Sequence, residues 1–316
     1  MNHLPALLMP ALPPTAAAKE DLQEARAAVM DVVQGRSVSA ALACLEFLGA
    51  GGTACDALTP HALGADARVR RNVAEVFARF AERPHKEALL ALATDADVSL
   101  RVAAARGFGH AKLDHVGLRL LLRDKASGVR REAARALGRL KPADAGKAVL
   151  EAAEAEAEPE VREAMLVAAA AAPFPGLVGR LERLLGHSPE STRMAAARAL
   201  CLLGAPSGLA VAREKLDSKS RCDRRDGVTL LDGAPLKAAG PLLAPLLKAP
   251  VQDMNLAAPA ARVLAQAGDA KALEWLVVQA HEARGADAGP LLDAVEALKV
   301  ADEDRKRILR SKPILP

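Results

Sequence analysis

Asp124-Lys125-Ala126-Ser127-Gly128-Val129-Arg130-Arg131-Glu132-Ala133-Ala134-Arg135-Ala136-Leu137-Gly138 is the stretch whose reading decides the fold. A short turn leads into a segment that opens Val-Arg, holds a tight Ala-Ala pair and closes Ala-Leu-Gly. The same pattern recurs, clearly or faintly, along the whole chain. Aligned on the last small residue, the copies end at Gly49, Ala78, Gly109, Gly138, Ala170, Cys201, Asp232, Ala265 and Lys299, with spacings of 29, 31, 29, 32, 31, 31, 33 and 34 residues. Near-equal spacing in this range marks a stacked array in which each unit covers its neighbour's apolar face.

Before each copy lies a second amphipathic segment: Leu89-Leu90 with Leu92, Leu118 to Leu122, Leu181 with Leu184-Leu185, Leu242-Leu243 with Leu246-Leu247, Leu273 with Leu276-Val277. Apolar spacing of three and four residues makes these helices rather than strands. Each unit is then a helical hairpin, and the expected fold is an all-α solenoid of about nine hairpins of ~31 residues. Composition agrees, since 51% of residues are apolar but only 2% aromatic, with no Tyr. A core of Ala, Leu and Val favours closely packed helices.

Four segments are expected. Residues 1–17 form a Pro-rich arm, broken by Pro5, Pro10, Pro13 and Pro14 and without the early Lys or Arg of a signal peptide. Residues 18–233 hold hairpins one to seven. Residues 234–299 hold two degenerate hairpins after a kink at Pro235, Pro241, Pro245 and Pro250. Residues 300–316 form a capping helix and tail, with Asp302-Glu303-Asp304 and then Arg305-Lys306-Arg307 placed to suit the helix dipole.

Two slots of the pattern have a structural purpose. An Arg ladder stands at Arg70, Arg101, Arg130, Arg162, Arg193 and Arg224, with Asp95 and Asp124 six residues before their own Arg. A carboxylate there can cap free amides and attract the Arg of its own or a neighbouring unit. The pairs Ala104-Ala105, Ala133-Ala134 and Ala196-Ala197 let neighbouring helices approach closely. The basic fourth unit precedes an acidic segment from Glu151 to Glu163, and the two are expected to pair as solvated surface charges.

Leu121-Leu122-Arg123-Asp124, Val129-Arg130 and Ala133-Ala134-Arg135-Ala136-Leu137-Gly138 resemble the HEAT repeat, in the short form named after phycobilisome lyases. The resemblance covers roughly residues 36 to 300. It implies a right-handed, armadillo-type α-solenoid whose second helices line a concave face. It implies little about function, because this fold serves scaffolds, lyases, hydroxylases and DNA-repair enzymes alike.

Catalysis needs convergent polar groups, and none is evident. The seven histidines are scattered, and His281-Glu282 is the one His-Glu pair, whereas helical-repeat deoxyhypusine hydroxylases bind two irons through several. The scarcity of aromatics argues against the stacking used by helical-repeat DNA glycosylases. Cys44, Cys55, Cys201 and Cys222 show no metal-ligand spacing, and Trp275 reads as packing. No catalytic residue, cofactor or metal is assigned. The absence of a long apolar run excludes membrane insertion by a helix, and the chain reads as a cytoplasmic monomer.

The best functional candidates lie five residues after the ladder Arg, where Glu75, Arg106, Arg135, Val167, Arg198, Thr229, Arg262 and Glu296 stand. Arg106, Arg135, Arg198 and Arg262 would form a discontinuous basic stripe, with Arg131 and Arg139 as further variable positions; the alternative is that the stripe arginines pair with Glu132, Glu163 or other neighbours. The leading expectation is a non-enzymatic scaffold that binds another protein, by an acidic segment, along the concave face. The first alternative is nucleic-acid binding through the same stripe, although a net charge of +4 obliges no anionic partner. A chromophore lyase or chaperone ranks third, on repeat type alone.

Overall fold

Every predicted hairpin is present. The computed structural model describes residues 16–298, apart from 37, 63, 65, 113–115, 143–144, 249–250, 252 and 283–287. All but the end of the N-terminal arm, and the whole C-terminal capping helix, lie outside these residues. The described residues hold eighteen α-helices and no strand. They divide into two compact units, one up to Phe174 and one from Pro175.

The first unit contains five hairpins: α1 (Ala16–Gln34) and α2 (Val38–Phe47), α3 (Gly51–Ala62) and α4 (Ala67–Phe80), α5 (Lys86–Ala93) and α6 (Val98–His110), α7 (Val116–Leu121) and α8 (Ser127–Leu140), α9 (Ala145–Ala155) and α10 (Pro159–Ala171). The second helices α4, α6, α8 and α10 pack directly on one another in a row. The first helices α3, α5, α7 and α9 touch only sparsely. The unit is therefore packed most closely on its second-helix side.

Small side chains permit that close row. Ala104, Ala105, Ala133 and Ala134 are all fully buried. The repeat-final glycine acts in the same way: a Cβ on Gly138 would lie 3.2 Å from the Ala168 Cα of α10, and one on Gly109 would lie 3.0 Å from the Ala136 Cβ of α8. Larger apolar side chains such as Phe77, Leu89, Leu100, Phe108 and Leu118 fill the space between the two helix layers.

The first hairpin departs from the register. Extrapolating the repeat places α2 against α4, but α1 makes the main contact there. The Asn72 side-chain amide on α4 donates to the Val32 carbonyl of α1 at 3.0 Å. Physically, α1 is the longer helix and presents Ala25, Ala28, Val29 and Val32 as a buried stripe. Helix α2 has Ala41 in the Arg slot and leaves Phe47 89% exposed.

The second unit contains four hairpins: α11 (Leu177–His187) and α12 (Glu190–Leu202), α13 (Pro206–Leu216) and α14 (Arg221–Leu230), α15 (Leu236–Leu243) and α16 (Met254–Gln266), α17 (Ala270–Glu282) and α18 (Ala288–Glu296). Proline shapes α15, which contains Pro241 and gives way to a 3-10 turn at Ala244–Leu247 starting around Pro245. Pro259, by contrast, lies inside a continuous α16. The second-helix row is looser from α12 to α14 to α16, where Gly227-Val228 replaces the Ala pair.

Candidate partner-binding face

The Arg ladder fixes how each second helix is presented. Arg101 donates from Nε and Nη2 to the two carboxylate oxygens of Asp124, at 2.7 and 3.0 Å. Its Nη1 donates to the Asp95 and Ala96 carbonyls at 2.8 and 3.0 Å, closing the turn before its own helix. Arg130 repeats the arrangement one unit on, with Glu156 at 2.6 and 2.8 Å and the Asp124 carbonyl at 2.8 Å. Arg70 does so one unit earlier, with Asp95 at 3.2 Å and the Gly64 carbonyl at 2.8 Å.

Each acceptor carboxylate also closes its own turn. Asp95, Asp124 and Glu156 accept from the backbone N–H two residues on, at 2.9, 2.8 and 3.0 Å. The helix cap is a different residue, seen in Asp97, which accepts from the Ser99 N–H at 2.9 Å. The ladder thus staples one repeat to the next, and the carboxylate is answered by the Arg of the preceding unit.

Charge and burial set the acidity of these groups. Burial pushes the Asp124 carboxyl up, but Arg101 and the Ala126 N–H more than offset this and hold it below the usual range. Arg130 holds the Glu156 carboxyl low against the effect of burial. Arg71, Ser99 and the Ser99 N–H bring Asp97 down to about 2. The expected pairing of the basic fourth unit with the acidic fifth is present, but its main bridge is not solvated. Arg130 and Glu156 side chains are only 17% and 4% exposed.

In the first unit the candidate stripe residues come together. Arg106 on α6 lies 3.5 Å from Glu132, and Arg135 on α8 lies 2.9 Å from the same carboxylate. Glu132 is buried, while both arginine side chains remain about half exposed. Two cations on neighbouring helices thus converge on one anion.

Beside this trio, at the C-terminal ends of α6 and α8, opens a cleft of about 860 Å³ lined by Arg106, His110, Lys112, Glu132, Arg139 and Pro142. His110, Lys112 and Arg139 are exposed and have no side-chain partner among the described residues. Sequence reasoning singled out Arg139 and named Glu132 among the acids that could pair with the stripe arginines, but gave His110 no role and missed Lys112. Lys112 and Lys141 carried a signal in the alignment. They stand eleven residues after the ladder Arg, where Gly204 and Gly268 stand in two other hairpins. All four have positive φ, at 50° and 49° for the lysines and 67° and 99° for the glycines.

The remaining candidates are placed differently. Arg131 pairs with Glu160 at 2.9 Å across the α8–α10 seam, as Arg71 pairs with Asp97 across α4–α6. In the second unit Arg262 is not an exposed stripe residue. Its side chain is 18% exposed, tied to Asp232 at 3.2 Å and to Gln266 at 2.9 Å. Arg198 is partly buried.

The other ladder arginines keep contacts within their own units. Arg162 bonds the Glu156 and Ala157 carbonyls of its own turn. Arg193 is half exposed and pairs with Glu190 on its own helix at 3.1 Å. Arg224 keeps the turn carbonyls of Ser218 and Lys219 at 3.1 Å each, but reaches Asp253 only at 3.7 Å.

The cysteines are all free. Cys55 and Cys201 are buried, which raises both thiols, Cys201 to about 12. No single described helix is long and apolar enough to cross a membrane.

Residues 87–170 match the family of HEAT repeats, which places the family pattern on the hairpins that carry this cleft. No curated protein sequence matches the chain. Among solved structures, the complex of CpcE and CpcF of phycocyanin lyase from Nostoc sp. PCC7120 is similar over 77% of this chain and 94% of that one, at 22% identity and a TM-score of 0.50. The Escherichia coli protein YIBA is similar over 93% of this chain and all of its own, at 16% identity and a TM-score of 0.43. An engineered protein is similar over 95% of both chains, at 19% identity and a TM-score of 0.41. Likeness at this level concerns the all-α solenoid fold alone.

Proposed function

We propose that this chain, whose residues 87–170 are HEAT repeats, is a non-enzymatic scaffold that binds an acidic segment of another protein on the concave face of its first unit. The observation that carries the reading is the convergence of Arg106 and Arg135 on Glu132 beside Lys112 and Arg139, which have no side-chain partner among the described residues. One carboxylate cannot neutralise four cations. The surplus positive charge faces solvent from two rigid helices, and such a surface favours association with an anionic partner. A stacked array supplies the extended platform that a segment of chain can follow.

The test is affinity capture from lysate with the full chain and with an Arg106→Glu/Arg135→Glu variant. Proteins with acidic segments should be recovered by the first and lost by the second. Equal recovery by both would refute the reading. A nucleic-acid mobility shift measured at several salt concentrations separates the alternative, since phosphate binding weakens steeply as counterions are released. The chromophore-lyase alternative is kept open by repeat type and by the fold likeness to the phycocyanin lyase complex, with no side-chain observation in its favour.

A further inference from the structure

The residues five places after the ladder Arg occupy the same register on four helices that pack side by side. In the first unit they are Glu75 on α4, Arg106 on α6, Arg135 on α8 and Val167 on α10. Glu75 is exposed and makes no side-chain bond among the described residues, and Val167 is half-buried. The row therefore reads acid, base, base, apolar across the face.

Neighbouring helices lie ~8–10 Å apart, and a polyproline II segment rises ~3.1 Å per residue with three residues per turn, so its residues i and i+3 share one face ~9 Å apart. A partner segment in that conformation laid across the helices meets a new repeat about every three residues. We propose that this face reads an extended segment in which two acidic residues stand three apart, flanked on one side by a basic residue and on the other by an apolar one. The proposal rests on the reading above that the partner is an acidic protein segment.

The cleft strengthens the acidic half of that code. Lys112, in the turn just past α6, and Arg139 on α8 each add a second cation, so each of the two acids of the segment meets a pair of cations. The backbone at Lys112 adds to this. An L-residue in the left-handed region is strained relative to glycine; sister repeats use Gly204 and Gly268 there, and Lys141 shares the conformation of Lys112. A lysine held in that conformation at the mouth of a basic cleft is strain kept where it places a charge.

Two substitutions separate recognition from folding. Lys112→Gly relieves the backbone and removes the charge, so stability should hold or rise while acidic-peptide binding weakens several-fold. A purely structural role for Lys112 gives no loss of binding. Glu75→Lys changes an exposed residue that has no side-chain partner among the described residues, and should switch the preferred flanking residue of the peptide from basic to acidic.

The experiment is fluorescence anisotropy of labelled synthetic peptides against the full chain, at fixed ionic strength. The peptides share one composition and place two glutamates adjacent, three apart or six apart, with a lysine flank on either side. The three-apart peptide should bind about tenfold tighter than its isomers, the scale of one charge-assisted contact. Lys112→Gly should reduce that affinity, and Glu75→Lys should invert the flank preference. If all acidic isomers bind alike, the spacing code is overturned while the acidic-partner reading stands. If no acidic peptide binds, the acidic-partner reading falls with it.

Discussion

Replacing Arg101 by Met tests whether the ladder is what holds the repeats in register. Met keeps the aliphatic bulk and removes the guanidinium. Arg101 and Asp124 side chains are 6% and 10% exposed, and the guanidinium makes four hydrogen bonds, two to Asp124 and two to the Asp95 and Ala96 carbonyls. Removing one partner of a buried ion pair costs about 3–5 kcal/mol, chiefly because the other charge is left buried. Asp124 keeps its Ala126 N–H, so the lower end, about 3 kcal/mol, is expected. For a domain of this size that lowers Tm by roughly 6–12 °C. The control is Arg79→Met, which breaks a pair with Glu46 in which both side chains are about half exposed, and should cost under ~1 kcal/mol. Far-UV circular dichroism through heating and through a urea titration reads both. Arg101→Met combined with Asp124→Ala should lose less than the sum of the two single changes, because the bridge can be removed only once. Equal, small losses for Arg101→Met and Arg79→Met would refute the ladder as a staple.

Acid should destabilise the first unit over a defined window. The Asp97, Asp124 and Glu156 carboxyls are held below their ordinary values in the folded chain, so the unfolded chain binds more protons as pH falls. Their contribution is complete above about pH 5 and is lost toward about pH 2. Arg71→Ala should flatten that dependence in a series of urea titrations at stepped pH. Ala134→Leu puts a branched side chain where Ala134 is fully buried, and overpacking of this kind costs about 1–3 kcal/mol; an unchanged melting curve would count against the repeat register. His85 is buried, accepts from the Glu82 N–H at Nδ1 and lies 3.0 Å from Asp56 through Nε2. His85→Ala leaves that N–H without its partner and should cost about 1–3 kcal/mol, read by the same urea titration.

The sequence made the hairpins legible because leucines and alanines at spacings of three and four leave one face to bury, and the Val-Arg slot marks where each second helix begins. The donors of the ladder were legible for the same reason. Its third acceptor was less so. Glu156 sits six residues before Arg162, in the slot of Asp95 and Asp124, but is immersed in a run of glutamates whose composition suggests a solvated surface. Register, not composition, distinguishes it from Glu151 or Glu160. Glu132 was legible only as one of several acids with which Arg106 and Arg135 could pair. It is buried because its place on α8 faces the α6 seam, and only the packed row of helices brings Arg106 to it. The first hairpin was misplaced because periodicity carries no information about ends. Helix α2 lacks the ladder Arg, and α1, with its buried stripe of Ala25, Ala28, Val29 and Val32, takes the inner position that the repeat assigns to α2.

Pairing with Glu132 could be taken to retire Arg106 and Arg135 as binding residues, since surface ion pairs contribute little and satisfied charges have less to gain. The geometry argues the other way. Glu132 is buried and both arginines keep about half their side-chain surface in solvent. The carboxylate can satisfy part of each guanidinium, and the outward donors of each remain open to a partner. A long side chain immobilised on binding loses about 0.5–1.5 kcal/mol of rotamer freedom. Here a single buried acid tethers two such side chains before any partner arrives, so much of that loss falls on folding rather than on association. Arg262 shows the opposite limit. Its bonds to Asp232 and Gln266 leave its side chain 18% exposed and direct the donors inward. What separates a binding arginine from a structural one on this scaffold is therefore not whether it is paired, but how much of the guanidinium the pairing leaves in water.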